Sequence, residues 1–189
     1  MYRDSNGWVT VGVGFMIPDE NAAKKIPFVT ALGALATKDQ IETDFKRVYS
    51  LPAGLVADKY RSQSSLLITF DYTASILLKK LKECDRTLRG NYKSYDTYPD
   101  PVKLALLDMI YNLGAAKLFG QFPAFNRSVN DQDWKTAADQ CHRKHKGAAD
   151  NRNAWTRHQF LISETRKPIP LLPVHPAHRD APLMLPQKG

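Results

Sequence analysis

Residues 2–15, Tyr2-Arg3-Asp4-Ser5-Asn6-Gly7-Trp8-Val9-Thr10-Val11-Gly12-Val13-Gly14-Phe15, carry the clearest local signal in this chain of 189 residues. Asn6-Gly7 is a strong hairpin dipeptide, because both residues tolerate the positive φ of a type I′ turn. The run that follows is β-branched or aromatic and reads as a strand interrupted by glycines. A period of two puts Trp8, Thr10, Gly12 and Gly14 on one face, and Val9, Val11, Val13 and Phe15 on the other. The second face is greasy. The first offers a hydroxyl followed by two bare backbone positions, with Asp4 just across the turn. Glycine weakens a strand unless a ligand or another backbone must come close, so this face reads either as the wall of a binding cleft or, equally, as a plain hairpin with its glycines at bends.

Composition sets the frame around that hairpin. Apolar residues make up 43% and charged residues 24%, which suits a globular protein with a real core rather than a disordered chain. Lys plus Arg number 27 against 19 acidic residues, and the resulting +8 favours an anionic partner such as a nucleic acid, an acidic membrane surface or an acidic wall polymer. The two cysteines, Cys84 and Cys141, are far apart and read as free thiols. No apolar run is long enough to span a bilayer, and the N-terminus lacks the layout of a secretory signal.

Further along, Ile17 to Glu20 reads as a turn into a short helix that Pro27 breaks. Thr37 to Gln40 is a capping box that opens a helix to about Tyr49. Pro52 and Gly54 punctuate the next stretch, and 52–63 reads as an insertion. Leu66, Phe70, Thr73, Leu77 and Leu81 form one stripe of a long helix over 65–82, with lysines at its C-terminal end where the helix dipole favours them. Residues 90–98 read as a tyrosine-rich loop. Asp100 as N-cap, Pro101 at the first helical position and apolar residues from Val102 to Leu113 give the most regular helix, ended by Gly114. Phe119, Phe122 and Phe125 suggest a greasy, turn-rich link. A helix over 131–146 has Trp134 and Ala137 inward, and a last helix opens at Asp150-Asn151-Arg152 and runs through Phe160. Prolines from Pro168 onward predict an extended tail.

The hairpin as a whole resembles that of the phage-type lysozymes, whose pattern is Tyr-x-Asp-x-x-Gly-x-x-Thr-x-Gly-x-Gly. Tyr2, Asp4, Gly7, Thr10, Gly12 and Gly14 meet every fixed position; Phe15 stands where the family often has His. The resemblance covers roughly Tyr2 to Ile162, including Asn112-Leu113-Gly114 at the end of the central helix and Arg152 with Phe160 in the last one. It implies an α+β, mainly α, lysozyme-like fold with a β-hairpin lobe and connection over 1–36, a helical lobe over 37–167 and a Pro-rich tail over 168–189. It also implies a hydrolase that cuts the glycan strands of peptidoglycan. Asp4 and Thr10 would hold the attacking water, Arg152 would support the general acid, and Tyr111, Asn112 and Gly14 would line or support the glycan site. The family's acid is a Glu at the end of a helix before the hairpin. The expectation is that Met1 is internal to a longer reading frame whose upstream codons supply that Glu, and that residues 1–189 alone are nearly inert.

An inverting glycosidase needs an acid for the leaving oxygen and a carboxylate that activates water on the opposite face of the sugar. Asp4 suits the second role. Cys141, His142 and His145 invite a zinc reading, but the histidines stand at i, i+3 among Arg143, Lys144 and Lys146, and no metal or cofactor is expected. His175 and His178 fall in the tail. The expected partners are peptidoglycan glycan strands, with a cognate inhibitor or immunity protein as a further candidate. The protein would be made in the cytoplasm and reach the wall through a holin or a contact-dependent secretion system, as a bacteriolytic endolysin or antimicrobial effector. Two alternatives stand beside this one: a catalytically inactive wall-binding or regulatory protein on the same fold, and a basic helical nucleic-acid binder whose residues 86–98 interleave cations and aromatics.

Overall fold

The computed structural model describes residues 1–144 and 149–165; the expected Pro-rich tail, His145, His175 and His178 lie outside them. The chain is mainly helical with one small antiparallel sheet of order β1-β2-β3, formed by Tyr2–Arg3, Val9–Val11 and Phe15–Ile17. Tyr2 faces Thr10 and Arg3 faces Val9; on the other side, Thr10 faces Met16 and Val11 faces Phe15.

Two of the hairpin expectations are corrected. The first turn is not type I′: Gly7 alone takes a positive φ, 87°, while Asn6 does not. The Asp4 carbonyl accepts from Gly7 N at 3.0 Å and Asp4 N donates to Trp8 O at 2.9 Å, the pattern of a three-residue loop closed by a glycine bulge. Asp4 causes the difference, because its carboxylate accepts from Asn6 N at 2.9 Å and so favours a right-handed conformation there. The second correction concerns the strand, which stops at Val11. Gly12 and Gly14, at φ 55° and 104°, turn the chain back into β3, so the glycines make a second turn rather than a bare cleft wall. Val13 and Phe15, expected on the greasy face, are consequently exposed.

Helices α1 (Glu20–Ala23) and α2 (Lys38–Tyr49) follow, the latter with both bonds of the Thr37–Gln40 capping box in place. Ile41, Phe45 and Val48 of α2 pack with Val9, Val11, Ile17 and Phe28 in one core. The expected lobe boundary at 36/37 had assigned α2 to the helical lobe. Its buried stripe of Ile41, Phe45 and Val48 packs with the strands instead. The stretch expected as an insertion folds back through α3 (Asp58–Arg61), whose buried Tyr60 belongs to the same core.

A second core gathers Leu88, Tyr92, Tyr95, Tyr98, Leu106, Met109, Phe125, Trp134 and Phe160. The long α4 (Phe70–Asn91) runs from the first core, where Tyr72 packs, to the second, where Cys84 and Leu88 are buried. It begins five residues later than the expected 65 and continues nine past 82. The expected stripe does not bury it, since Phe70 is 84% exposed. The three tyrosines expected in a loop flank or sit within a 3₁₀ turn (Tyr95–Thr97) and are all buried.

The central helix α5 (Asp100–Leu113) buries Val102, Ala105, Leu106, Met109 and Ile110 and ends at Gly114 (φ 74°). Its cap is Pro99 rather than Asp100, a shift of one residue. The expected Phe-rich link is two short helices, α6 (Ala115–Gln121) and α7 (Pro123–Asn130). Then α8 (Trp134–Gln140), shorter than expected, buries Trp134 and Ala137, and α9 (Ala149–Glu164) packs on α5 and α8. Among the described residues no helix is long and apolar enough to cross a membrane.

Candidate functional site

The first hairpin's tip is built to be rigid. Arg3 points away from the Asp4 face; its Nε donates to Gly7 O at 2.9 Å, and one terminal nitrogen donates to Leu51 O at 2.8 Å. The guanidinium also lies over the Tyr49 ring, 4.9 Å from its centroid. Tyr60 Oη donates to Arg3 O at 2.8 Å, and Gly54 N donates to Asp4 O at 3.1 Å. The loop from 52 to 60 therefore clamps the strand that carries Asp4.

Asp4 Oδ1 accepts from Asn6 N and from Trp8 N, both at 2.9 Å. Its Oδ2 has no hydrogen-bond partner among the described residues. Since Tyr2 faces Thr10 and side chains alternate along a strand, Tyr2, Asp4, Trp8 and Thr10 share one face of the hairpin. Burial pushes the Tyr2 phenol up from its ordinary range, and the Asp4 carboxylate and Tyr111 push it the same way. Thr10 is 2% exposed, covered between its neighbours, and its hydroxyl donates to Trp8 O at 3.3 Å. It sits on the expected face but beneath the surface.

The second turn meets the helices. Tyr111 Oη donates to Val13 O at 2.8 Å, and a side chain at Gly14 would stand 3.9 Å from that oxygen. Together they border a groove of about 300 Å³ with Phe15, Met16, Leu77 and Glu83. Tyr111 and Gly14, two of the expected glycan residues, are thus brought together.

Arg152 and Asn112 form a second group. The Arg152 guanidinium donates to Asn112 Oδ1 and stands 3.6 Å from Asp108 Oδ1. Asn112 Nδ2 donates to the same carboxylate oxygen at 3.0 Å. Asp108 Oδ2 is held from below by Arg143 at 2.7 Å and by the Thr156 hydroxyl at 3.0 Å. Arg143 is 4% exposed and also donates from Nε to Asn153 Oδ1 at 3.1 Å and from its other terminal nitrogen to Thr156 Oγ1. The acid that Arg152 meets is therefore Asp108.

No family model, curated protein or solved structure matches the chain. The residues above are thus interpreted on their own geometry. Asp108, Arg143 and Trp8 were missed from the sequence. A carboxylate between Leu107 and Met109, inside an apolar helix, was a usable signal for Asp108. Arg143 was hidden in a basic run that looks solvated. Cys141 is buried, its Sγ donating to Ala138 O at 3.2 Å, and His142 Nδ1 lies 3.3 Å from Asn153 Nδ2. Among the described residues no three His, Cys, Asp or Glu side chains group as a metal site would need.

Proposed function

We propose that this protein is a lysozyme-like peptidoglycan hydrolase that cleaves the glycan strand by an inverting, water-mediated reaction. The observation that carries the reading is the Asp4 carboxylate, fixed through one oxygen by two backbone N–H groups on a clamped turn while the other oxygen is free. Such a group is preorganised to accept a proton, because its orientation costs nothing at the moment of reaction. In the proposed step Asp4 Oδ2 takes a proton from water as the water oxygen attacks the anomeric carbon. The glycosidic C–O bond breaks, and the leaving oxygen takes a proton from a general-acid carboxyl group distinct from Asp108, whose two oxygens are held by Arg143, Thr156, Asn112 and Arg152. Thr10, on the same face, steadies the water once its cover of neighbouring side chains opens. Tyr111, Gly14 and Asn112 form the wall along which the glycan lies, and the basic surface draws the anionic wall polymer. Delivery through a holin or secretion system belongs to the same proposal.

Asp4→Asn tests it. Asn keeps an oxygen for both N–H donors, so the fold should stand, while general-base assistance worth about 10²–10⁴ in rate is lost. The comparison is made where the parent clears purified peptidoglycan, and clearing at that parent's rate by a folded Asp4→Asn protein would sink the assignment. A second reading, a wall-binding protein without catalysis, is favoured by the buried Thr10 and by Arg152 being engaged with Asp108. It expects glycan retention with no bond cleavage. The nucleic-acid reading loses its stacking platform, since Tyr92, Tyr95 and Tyr98 are buried.

A further inference from the structure

Trp8 is the only tryptophan of the strand-bearing lobe. It is 45% exposed, although its flanking backbone is fully engaged: Trp8 N donates to Asp4 Oδ1 and Trp8 O accepts from Asp4 N, each at 2.9 Å. The residue that closes the hairpin opposite Asp4 is therefore an indole, on the same face as the carboxylate. Across an antiparallel pair such side chains have their Cβ atoms about 4.5–5.5 Å apart. The tip beneath is locked by Arg3, Gly54 and Tyr60. An aromatic plate on a fixed backbone beside a free carboxylate oxygen offers an apolar face and a polar group together, and with only two side-chain torsions it loses little entropy when something covers it.

We propose that Trp8 is a carbohydrate platform. The apolar C–H face of one pyranose ring stacks on the exposed indole, which sets the height of the neighbouring glycosidic bond above Asp4 Oδ2. This inference rests on the glycan reading above and adds to it a binding residue and a subsite next to the reacting bond. The chemistry that fits is a neutral sugar ring with equatorial substituents, whose C–H groups present a flat apolar face. A ring bearing a negative charge on that face would be brought against the Asp4 carboxylate and rejected.

The three tryptophans make the test direct, because Trp134 is buried and Trp155 stands on α9 in the other lobe. The probe is a soluble peptidoglycan tetrasaccharide titrated into the full chain, with intrinsic fluorescence and calorimetry read in parallel. Saturating glycan should shift the emission and shield it from acrylamide, and Trp8→Phe should abolish the emission change while keeping binding within about threefold. Trp8→Ala, shown to be folded by an unchanged far-ultraviolet spectrum, should weaken binding about tenfold or more. Trp155→Phe should leave the emission change in place. The platform is overturned if Trp8→Ala binds the tetrasaccharide as the parent does, or if the emission change survives Trp8→Phe. In that event an Asp4→Asn variant that loses peptidoglycan clearing shown by its parent would still support the hydrolase reading. If the tetrasaccharide does not bind the parent at all, both readings fall.

Discussion

Replacing Asp108 by Leu should be among the most damaging single changes in the larger lobe. The Arg143 guanidinium is 4% exposed, and its only anionic partner among the described residues is Asp108 Oδ2 at 2.7 Å. Leu keeps the branched outline with methyls larger than the oxygens they replace, so no cavity forms, but the cation stays buried with only neutral acceptors: Asn153 Oδ1, Thr156 Oγ1 and the Arg152 carbonyl. Removing one partner of a buried pair costs about 3–5 kcal/mol. For a chain of this size each kcal/mol lowers Tm by roughly 2–4 °C, so the fall should be about 6–20 °C. Arg152 is 55% exposed and 3.6 Å from the same carboxylate, and Arg152→Ala should cost less than about 1 kcal/mol. The assay is urea unfolding followed by circular dichroism. The Asp108→Leu/Arg143→Met double variant should recover most of the loss, because removing both charges leaves nothing uncompensated. An Asp108→Leu protein within about 1 kcal/mol of the parent, or a double variant with strictly additive losses, would refute the reasoning.

Two further outcomes are expected. Gly12 combines φ 55° with a site where a Cβ would stand 3.0 Å from Thr73 Cγ2, whereas Gly33 has φ 80° and open space around it. Gly12→Ala should therefore cost about 1–3 kcal/mol and more than Gly33→Ala; equal effects in thermal melts would show that the turn does not press on α4. Burial pushes the Cys141 thiol up from 9.0 to about 11, so the folded state holds a proton that the unfolded chain releases earlier. That contribution is complete below pH 9 and is lost as pH rises through about 11. Cys141→Ala should flatten the alkaline limb of stability against pH, and an unchanged limb would contradict the assignment.

The sequence shows local rules well and long-range ones poorly. The Thr37–Gln40 box and the Val102–Ile110 stripe ending at Gly114 are set by neighbours three and four residues away, and both were legible. The Gly12–Gly14 turn was not, because glycine in a β-branched run serves equally as a bare strand position and as a bend. Only the packing of β3 back onto β2 decides between them. At the site, Asp4 declared itself through the turn it caps. Arg152's partner could not be found from spacing, because Asp108 lies on another helix, and Arg143 reaches that carboxylate across a separation of 35 residues. Thr10 illustrates the opposite failure: alternation gave its face, but it is buried on the middle strand of the sheet, between β1 and β3, and that pairing is not written in the sequence.

The anomeric configuration of the first product tests the central claim most directly. Proton magnetic resonance on a soluble glycan tetrasaccharide treated with the protein reads the newly freed reducing end before it equilibrates. A water activated by Asp4 attacks from the face opposite the leaving oxygen, so a β-linked substrate should yield the α-anomer first, and Asp4→Asn should remove that signal by at least about a hundredfold. An initial β-anomer, or an α-anomer released at the parent rate by a folded Asp4→Asn protein, would contradict the account.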